Sequence, residues 1–323
     1  MNNRLPSVTV IVAARPDQAE IKAVAAARQL DYPPEFLEII VARGKQPSVQ
    51  RNAALRAARG ELVYFLDDDS VALPESLRRA ASHFADSKVQ VVGGPNLCPP
   101  DAPVLEQIFV LTLGNWIAFG PSRARYASAG KLRDSGEKEL ILCNLVARRA
   151  VLLECGGFNE ALYPNEENAL MDEIQKRGGR LLYDPELFVH RRPRSTVKSF
   201  AKMLMTYGRG RAEQVRVHPT SGSVLNFVPP LFCVFLVALP LLVMLPVLGK
   251  ISLAALGVYV FAVLAQMWTL VPRGGVLRSL ATIPFIVLTH ILYGVGFWRG
   301  LFTKLKANGN QVRAEVVLEN IAR

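Results

Sequence analysis

Three stretches of this 323-residue chain carry no charged side chain, and they limit the folds open to it. They cover residues 224–248, 251–272 and 279–298, and each is long enough to span a bilayer as a helix. The residues before them instead mix charged and apolar side chains in the manner of a water-soluble domain. The sequence therefore predicts a soluble part followed by a membrane region.

Composition narrows the function classes. The formal net charge is +11, but zinc-ligand spacing, RNP-type motifs and Lys/Arg blocks are absent from the sequence, so membrane attachment explains the basicity better than nucleic acid. The N-terminus enters a predicted strand without an apolar signal region, so we expect no export of the soluble domain. Four cysteines without metal-ligand spacing favour small buried residues in a reducing cytoplasm: Cys98, Cys143, Cys155 and Cys233.

Short apolar runs alternate with helical stretches in the first part of the chain. Strands separated by helices of this length imply right-handed crossovers. The sequence therefore predicts an α/β fold with a mostly parallel, doubly wound sheet, in which ligands bind beyond the carboxyl ends of the strands. Predicted strands cover residues 8–13, 37–41, 62–66 and 89–93, and predicted helices cover 18–29, 48–59 and 74–84.

Three consecutive aspartates, Asp67, Asp68 and Asp69, follow the third predicted strand. They therefore lie at the edge of the sheet where ligands bind. Crowding three carboxylates raises their mutual repulsion and desolvation cost, which a bound divalent cation would offset. An acidic turn that caps the next helix is the alternative.

Further elements follow an irregular segment. We expect a strand over residues 140–146, helices over 149–154 and 166–177, and extended chain over 181–183 and 187–190. Residues 196–216 form a predicted amphipathic helix, rich in Lys and Arg, that can lie in the bilayer interface. An ordinary surface helix is the alternative interpretation of this pattern.

Four motifs in this part of the chain occur in a fixed order: Asp67-Asp68-Asp69, Gly156-Gly157-Phe158-Asn159-Glu160, Asn165-Glu166-Glu167-Asn168 and His190-Arg191-Arg192-Pro193-Arg194-Ser195. This ordered set resembles inverting glycosyltransferase family 2, which has the GT-A nucleotide-sugar fold, over residues 7–195. Two motifs of the tail, Tyr207-Gly208-Arg209-Gly210-Arg211 and His290-Ile291-Leu292-Tyr293-Gly294-Val295-Gly296, more loosely resemble membrane-bound bacterial glycosyltransferases of the succinoglycan glucosyltransferase kind.

The resemblance implies a metal site at the aspartates. Asp67 and Asp69 resemble the paired acids that bind Mg2+ or Mn2+ against the nucleotide diphosphate, where the metal neutralises the leaving group. The resemblance assigns Asp68 to the ribose or the donor sugar. Inversion also needs a base on the face opposite the leaving group. Glu167 matches the aspartate of the family's Glu-Asp motif and is the first candidate for this base, and Glu166 is the second. Both could instead stabilise a helix N-terminus.

Basic residues are the next implied ligands. His190, Arg191 and Arg192 follow an extended segment and could meet the diphosphate, since guanidinium groups match phosphate oxygens. His190 is also a candidate for the metal shell. For Arg192 and Arg194, an exposed basic loop that faces anionic lipid is the alternative.

The chain departs from the family pattern at the expected nucleobase contact. Family members usually carry an acid after the second strand, but residues 41–48 contain none. After the first strand only Asp17 and its neighbour Arg15 are available. Gln50-Arg51-Asn52 opens a helix whose family counterpart lines the donor pocket, and a cation that only flanks the helix is the alternative for Arg51. We therefore expect Arg15, Asp17 and Arg51 to contact the donor, while the identity of the nucleotide stays open.

The predicted divisions are a GT-A domain over residues 1–195, an interfacial helix and linker over 196–222, about three hydrophobic segments over 223–300, and a basic tail over 301–323. Three simple crossings would place the basic tail across the membrane from the soluble domain, which the positive-inside rule disfavours. We therefore expect one segment to be a hairpin or interfacial. His290 is expected to hydrogen-bond a neighbouring helix.

Together these features predict an inverting, metal-dependent glycosyltransferase in the bacterial inner (cytoplasmic) membrane, multi-pass, with its catalytic domain in the cytoplasm. It would transfer one sugar from a nucleotide-sugar donor to a saccharide on polyprenyl diphosphate, in contact with membrane lipids, during cell-surface polysaccharide synthesis. One alternative is a polyprenyl-phosphate glycosyltransferase that makes a lipid monophosphate sugar. The other is an inactive, membrane-anchored binding subunit, which the missing acid would favour.

Overall fold

The computed structural model describes residues 5–162, 164–219, 221–305 and 315–322, and for residues 221–223 it describes the backbone alone. In chain order, the strands are β1 (Val8–Ala14), β2 (Leu37–Arg43), β3 (Leu62–Asp67), β4 (Val71–Ala72), β5 (Val89–Gly93), β6 (Asn96–Leu97), β7 (Arg133–Asp134), β8 (Asn144–Arg148), β9 (Arg180–Tyr183), β10 (Val189–His190) and β11 (Val317–Asn320).

The helices are α1 (Lys22–Arg28), α2 (Pro47–Ala57), α3 (Ser76–His83), α4 (Val104–Leu113), α5 (Trp116–Phe119), α6 (Arg149–Glu154), α7 (Glu166–Lys176), α8 (Val197–Val217), α9 (Val228–Leu242) and α10 (Pro246–Phe302). Short 3-10 turns cover Pro34–Phe36, Gly120–Arg125 and Ser221–Phe227.

These elements form two compact units that interleave along the chain. The first contains the described residues within 1–99, 124–191 and 306–323, and the second contains those within 100–123 and 192–305. The short helices α4 and α5 therefore belong with the C-terminal helices, although much of the first unit follows them in sequence.

The first unit is built on one large sheet. Within the described residues its strand order is β11-β2-β1-β3-β8-β5-β9-β7. Alternate residues of β1 enter two different buried clusters, with Val10 and Val12 in one and Ile11 in the other, so both faces of the sheet are covered. The predicted α/β class is confirmed. The sheet is mixed, however, and not mostly parallel, because β7, β8 and β11 join it in antiparallel pairings.

A second, smaller sheet of strand order β4-β10-β6 adjoins the end of β3 in sequence. Strand β4 begins two residues after Asp69 and pairs antiparallel with β10, which pairs in parallel with β6. Arg191 directly follows β10, and its backbone N–H donates to the carbonyl of Leu97 (2.9 Å). The small sheet therefore fixes the backbone that carries Arg191.

The second unit contains the apolar helices. Two helical stretches of the described chain, Val224–Leu242 and Pro246–Phe302, are long and apolar enough to span a membrane. The helical stretches Val104–Leu113 and Trp116–Arg125 meet at 64° and would count as a further span only if taken as one.

Helix α10 folds back on itself. Its backbone leaves helical geometry at Gly275 (φ 72°, ψ 169°), a conformation that glycine adopts without strain. The hydroxyl of Tyr259 lies 2.9 Å from Nδ1 of His290, whereas a continuous helix would separate these residues by roughly 45 Å at 1.5 Å per residue. The two arms of α10 are therefore antiparallel, and with α9 they coincide with the three predicted apolar stretches.

His290 hydrogen-bonds neighbouring elements, in agreement with the expectation from the sequence. Its Nε2 lies 2.8 Å from the carbonyl oxygen of Ile117, which can only accept, so Nε2 carries the proton and the hydroxyl of Tyr259 donates to Nδ1. The N–H of Ile117 in turn donates to Gln266 on the first arm of α10 (3.3 Å). The backbone of α5 thus joins both arms of the hairpin.

Helix α8 packs closely on the second arm of α10. A Cβ atom at Gly208 would overlap the carbonyl oxygen of Tyr293, and one at Gly296 would overlap that of Met205. Small residues that allow two helix backbones to touch are typical of packing in membranes. One face of α8 therefore contacts protein; its predicted place in the bilayer interface stays a prediction.

A buried acid in the first unit, Asp184, stabilises the connection that leads to β10. It accepts two hydrogen bonds from Arg79 (2.7 and 3.0 Å) and one from the N–H of Glu186 (3.0 Å), and it contacts Nε2 of His83 (2.9 Å). Burial alone would raise the pKa of Asp184, but the hydrogen bonds from His83, Arg79 and Glu186 outweigh it and keep the pKa well below its usual range.

Asp184→Asn should therefore destabilise the first unit by about 2 kcal/mol at pH 7, because a buried ion pair loses its charge while Arg79 can still reach water. A carboxylate with a lowered pKa stabilises above its unfolded value, about 4, and loses that effect as the pH falls further. The gap in melting temperature between the variant and the wild type should therefore shrink from pH 7 to pH 3, as measured by circular dichroism.

Asp86→Asn is the matched control, since Asp86 pairs with Arg180 at the surface (2.9 Å) and such pairs contribute little. An equal loss of melting temperature in both variants would contradict the special role of Asp184.

Candidate functional site

The three aspartates lie where the central strand ends. Residues 62–66 of β3 are fully buried between β1 and β8, and the chain becomes half-buried at Asp67. In the sheet register Asp67 lies beside Ala13, so the loops after β1, β2 and β3 leave the same edge. The N–H of Ser70 donates to the carbonyl of Asp67 (3.0 Å) and closes the turn. The predicted position at a carboxyl end of parallel strands is the one observed.

A chain of ion pairs links these aspartates to the start of α7. Arg51 lies between Asp67 (Nη2–Oδ1, 2.8 Å) and Glu166 (Nη1–Oε1, 3.1 Å). Arg191 lies between Asp67 (Nη1–Oδ2, 3.2 Å) and Asp69 (Nε–Oδ1, 2.6 Å). Two motifs far apart in the sequence, the aspartate triplet and the glutamate pair, therefore meet at the guanidinium of Arg51.

Three consecutive side chains of α2 position this edge. Gln50 donates from Nε2 to the carbonyls at the ends of β1 and β2, Ala14 (2.8 Å) and Ala42 (2.6 Å). Arg51 contacts the two acids, and Asn52 exchanges hydrogen bonds with the backbone of Phe158 (2.8 Å each). Helix α2 begins at Pro47, and proline is a favoured first residue of a helix. Because the three polar residues follow within the first two turns, the helix start also determines where they lie.

Glu166 is the most deeply buried acid of the site, with 2% of its side chain exposed. Burial raises the pKa of Glu166 to about 7, and the neighbouring Glu167 adds to the rise, while Arg51 opposes it. Burial disfavours the charged form of Arg191, but Asp67 and Asp69 outweigh this and raise its pKa well above the usual value. Arg191 therefore stays charged, whereas the pKa of Glu166 lies close to neutral pH.

Glu167 lies at the same helix start but reaches a different set of groups. Its Oε1 is 3.8 Å from Nη1 of Arg125, and 13% of its side chain is exposed. Nη2 of Arg125 donates to the carbonyl of Glu137 (2.5 Å) and to Oδ1 of Asn168 (2.6 Å). Asn168 donates to Oδ1 of Asn165 (2.9 Å). Glu167 is thus the less buried of the two glutamates and is oriented by a buried arginine.

Asn165, which precedes α7, has a left-handed backbone (φ 91°). Among the described residues other than glycine, it alone has a positive φ. Such a conformation costs about 1 kcal/mol or more and is often found beside functional groups. Its side-chain Nδ2 is buried without a hydrogen-bond partner. Strain and an unsatisfied donor therefore lie next to the glutamate pair.

Four more predicted site residues are Arg15, Asp17, Asp68 and Arg192. Arg15 and Asp17 are exposed in the loop after β1. The carbonyl of Asp68 accepts from the N–H of Ala23 (3.1 Å), so its backbone anchors α1. Arg192 forms a bidentate pair with the buried Glu106 (2.6 and 2.6 Å), and both residues belong to the second unit.

His190 is the last residue of β10 and is half-buried. Its ring lies 5.4 Å from that of Phe188, and its Nδ1 is buried without a hydrogen-bond partner. In the part of the chain that the structure describes, no group of three or more His, Cys, Asp or Glu side chains could hold a metal ion. The structure therefore does not assemble His190, Asp67 and Asp69 into one ligand set.

Asp67 and Asp69 nevertheless fit a divalent cation that is shared with a substrate. Both supply hard carboxylate oxygens, and a single guanidinium, that of Arg191, already bridges them. Mg2+ is commonly bound by one or two carboxylates together with phosphate oxygens and water. The donor set thus suits Mg2+ or Mn2+ at a diphosphate and does not suit a metal held by protein ligands alone.

Arg125, Gln50 and Asn52 were not singled out from the sequence as site residues. Arg125 lies within a stretch without periodicity, residues 114–136, so its local sequence does not indicate its partners. The sequence Gln50-Arg51-Asn52 does offer a signal, since a helix that packs on a sheet must bury some of three adjacent polar side chains, and buried polar groups need partners. Their roles depend on which strand ends they reach.

The amino-acid sequence matches a known protein family. A model of the glycosyltransferase-like family 2 matches residues 1–209 of the 323. The chain therefore belongs to that family, and the expectation of a family 2 glycosyltransferase is confirmed. The match covers β1 to β10 and the first part of α8.

Two curated relatives carry the same description, pre-mycofactocin glycosyltransferase, and come from two strains of Mycobacterium tuberculosis. Each is 24% identical over 188 residues, which are 54% of this chain and 36% of the relative. The chain thus spans about a third of the length of the curated relatives it matches.

A solved structure, the mannosyltransferase PcManGT from Pyrobaculum calidifontis in complex with GDP-Man and Mn2+, is similar with a TM-score of 0.56. The alignment covers 93% of this chain and 88% of that one at 16% identity. At this identity the similarity shows the fold, and it agrees with the predicted GT-A class.

Glu166→Gln should change how stability depends on pH. Because the pKa of Glu166 in the folded protein, about 7, lies above its ordinary value, the folded state disfavours the ionised form, and the resulting loss of stability develops as pH rises from about 4.5 to 7. Glutamine resembles the protonated acid. The melting temperature of the variant relative to the wild type should therefore increase by several degrees between pH 5 and pH 8. Parallel melting curves across this range would show that Glu166 is ionised throughout.

Proposed function

We propose that this chain is an inverting, metal-dependent glycosyltransferase that transfers one sugar from a nucleotide-sugar donor to a lipid-linked saccharide at a membrane. The observation that carries the proposal is the meeting of the aspartate triplet and the glutamate pair at Arg51. Family membership supports the reaction class, and the apolar helices support a membrane acceptor.

The donor diphosphate is proposed to bind at Asp67, Asp69 and Arg191. A divalent cation bound by the two aspartates would neutralise the diphosphate as it leaves. When a diphosphate binds, the guanidinium of Arg191 can exchange its carboxylate partners for phosphate oxygens, which it matches in geometry. The structure of PcManGT with GDP-Man and Mn2+ is a precedent for such a pair of ligands in this fold.

Glu167 is the proposed base. It is partly exposed, whereas Glu166 is enclosed and paired with Arg51, so an acceptor hydroxyl can reach Glu167 more easily. Glu167 would take the proton of that hydroxyl while its oxygen attacks the anomeric carbon from the face opposite the diphosphate. The bond from carbon to the phosphate oxygen breaks with its electron pair on the diphosphate, and the configuration inverts.

Glu166 is proposed to position Arg51. An acid that is close to neutral at physiological pH binds a guanidinium less tightly than a full carboxylate would, so Arg51 keeps its stronger contact with Asp67 at 2.8 Å. Asp67 is thereby oriented for a cation.

Strand β11 supports an even number of membrane crossings. It follows the apolar helices in the chain and pairs with β2, which precedes them. The segments on both sides of the apolar region belong to one sheet, and a bilayer cannot divide a sheet because each strand needs its partners. Among α9 and the two arms of α10, at least one segment would then not complete a crossing. The first unit and β11 are proposed to lie in the cytoplasm.

Glu167→Gln should reduce transfer by about 100-fold or more, because a positioned base contributes at least that much, while nucleotide-diphosphate and Mn2+ binding stay intact. The assay uses the full chain in membranes with labelled nucleotide sugars, Mn2+ and polyprenyl-linked acceptors, and follows label in the lipid fraction. Glu173→Gln, the same change on the outer side of α7, is the matched control and should retain activity.

The outcomes separate the hypotheses. Wild-type turnover in Glu167→Gln would remove Glu167 as the base. A labelled lipid monophosphate would favour a polyprenyl-phosphate acceptor over a diphosphate-linked saccharide. A wild-type protein that binds no nucleotide sugar with Mn2+ would overturn the enzymatic proposal and favour a binding subunit.

Fusions at the two termini test the crossing number. Green fluorescent protein attached to either end should fluoresce in a bacterial host, and alkaline phosphatase at either end should stay inactive, because both ends face the cytoplasm. Phosphatase behind a cleavable export signal is the positive control. Active phosphatase at the C-terminus alone would indicate an odd number of crossings and would conflict with the pairing of β11 and β2.

A further inference from the structure

We infer that strand β11 completes the donor site and that Glu319 is a positioning residue for it. Through Arg43, Glu319 fixes the loop after β1, and that loop receives the nucleoside of the donor. This inference rests on the proposed function, since it assigns a specificity-determining element to the same site. It gives a role at the donor pocket to a segment that follows the apolar helices.

Strand β11 is firmly joined to the first unit. It pairs antiparallel with β2, with Glu319 beside Val41 in the register. The N–H of Ile321 donates to the carbonyl of Ile39 (2.9 Å), which continues the ladder. Beyond it, Nε of Arg28 donates to the carbonyl of Ala322 (3.1 Å). Main-chain pairing thus sets where the side chain of Glu319 can reach.

One guanidinium connects this strand to the loop after β1. Nε of Arg43 contacts Oε1 of Glu319 at 2.7 Å. Its Nη1 donates to the carbonyls of Arg15 (3.2 Å) and Gln18 (2.8 Å). Arg43 therefore bonds both ends of a short turn, in which the N–H of Gln18 also donates to the carbonyl of Arg15 (3.3 Å).

The turn lies on the edge that carries the aspartates. Arg43 ends β2, beside Ala14 of β1, and Ala13 is beside Asp67 of β3. Neighbouring strands are about 4.8 Å apart, so Arg43 lies roughly 10 Å from Asp67 along the edge. The turn is therefore close enough to meet the part of a nucleotide that extends from a diphosphate bound at the aspartates.

The proposed base indicates the direction in which the nucleoside extends. Glu167 contacts Arg125, and Arg125 follows Ala124, whose carbonyl accepts from Oη of Tyr183 in β9 (3.0 Å). Strand β9 lies on the far side of β3 from β1 and β2. The sugar and the acceptor thus belong on the β9 side, which leaves the β1 and β2 side for the nucleoside.

The ion pair should act locally. Arg43 and Glu319 are partly exposed, with 20% and 37% of their side chains accessible, and such pairs add little to global stability. Ordering a loop before a ligand binds, in contrast, lowers the entropy lost on binding. Loss of Glu319 is therefore expected to loosen the turn and weaken donor binding without unfolding the sheet.

Glu319→Ala in the full chain tests the inference, with Glu315→Ala as the matched control, because Glu315 is an exposed acid of the same segment outside β11. Hydrogen exchange of residues 15–20 should accelerate in Glu319→Ala and not in the control. Affinity for the best ligand among UDP, GDP, ADP and dTDP, and the donor KM, should worsen by about three- to tenfold with kcat unchanged. Glu319→Gln, which keeps the acceptor oxygen, should restore part of the loss.

Unaltered exchange and donor affinity in Glu319→Ala would overturn this inference and leave the proposed function intact. A parallel fall in kcat and in melting temperature would also overturn it, since it would indicate a general structural role. Failure of the wild-type chain to bind all four diphosphates would instead overturn the proposed function, and with it the role of Glu319 at the donor.

Discussion

Alternating charges at the end of β3 organise the first unit. Carboxylates crowded at the end of a buried strand repel each other and lose hydration, so each needs an opposite charge. Arg51 and Arg191 meet this need, and each bridges two acids. Because Arg51 comes from α2 and Arg191 follows the small sheet, the acids can be compensated only when these elements are in place. The start of α7, through Glu166, is positioned by the same network.

The backbone around this network has matching constraints. Gln50 bonds the ends of β1 and β2, and Asn52 bonds the backbone of Phe158 in the connection between α6 and α7, so two side chains of α2 fix three chain segments. Asn165 then directs the chain into α7 with a left-handed backbone. Strain of this kind persists only where surrounding contacts require it. The strained residue directly precedes Glu166 and Glu167, of which the first is enclosed and the second is partly accessible.

The apolar unit shows a related dependence on contacts distant in sequence. Gly275 allows α10 to reverse, and the hydrogen bonds of His290 and Ile117 connect the two arms. After the hairpin the chain returns to the first unit as β11, which covers the edge of β2 that would otherwise be unpaired. Strand β11 also brings Glu319 to Arg43, the last residue of β2.

The sequence by itself determined the alternation of strands and helices, the position of the aspartates at a strand end, and the three apolar stretches, because these follow from local periodicity and length. It did not determine that β8 enters the sheet antiparallel, that Arg192 pairs with Glu106, or that His190, Asp67 and Asp69 do not form one set of metal ligands. Nor did it distinguish the environments of Glu166 and Glu167, which are adjacent in the chain. Only the tertiary structure decided these points, since burial and ion pairing depend on strand order and on partners that lie far along the chain.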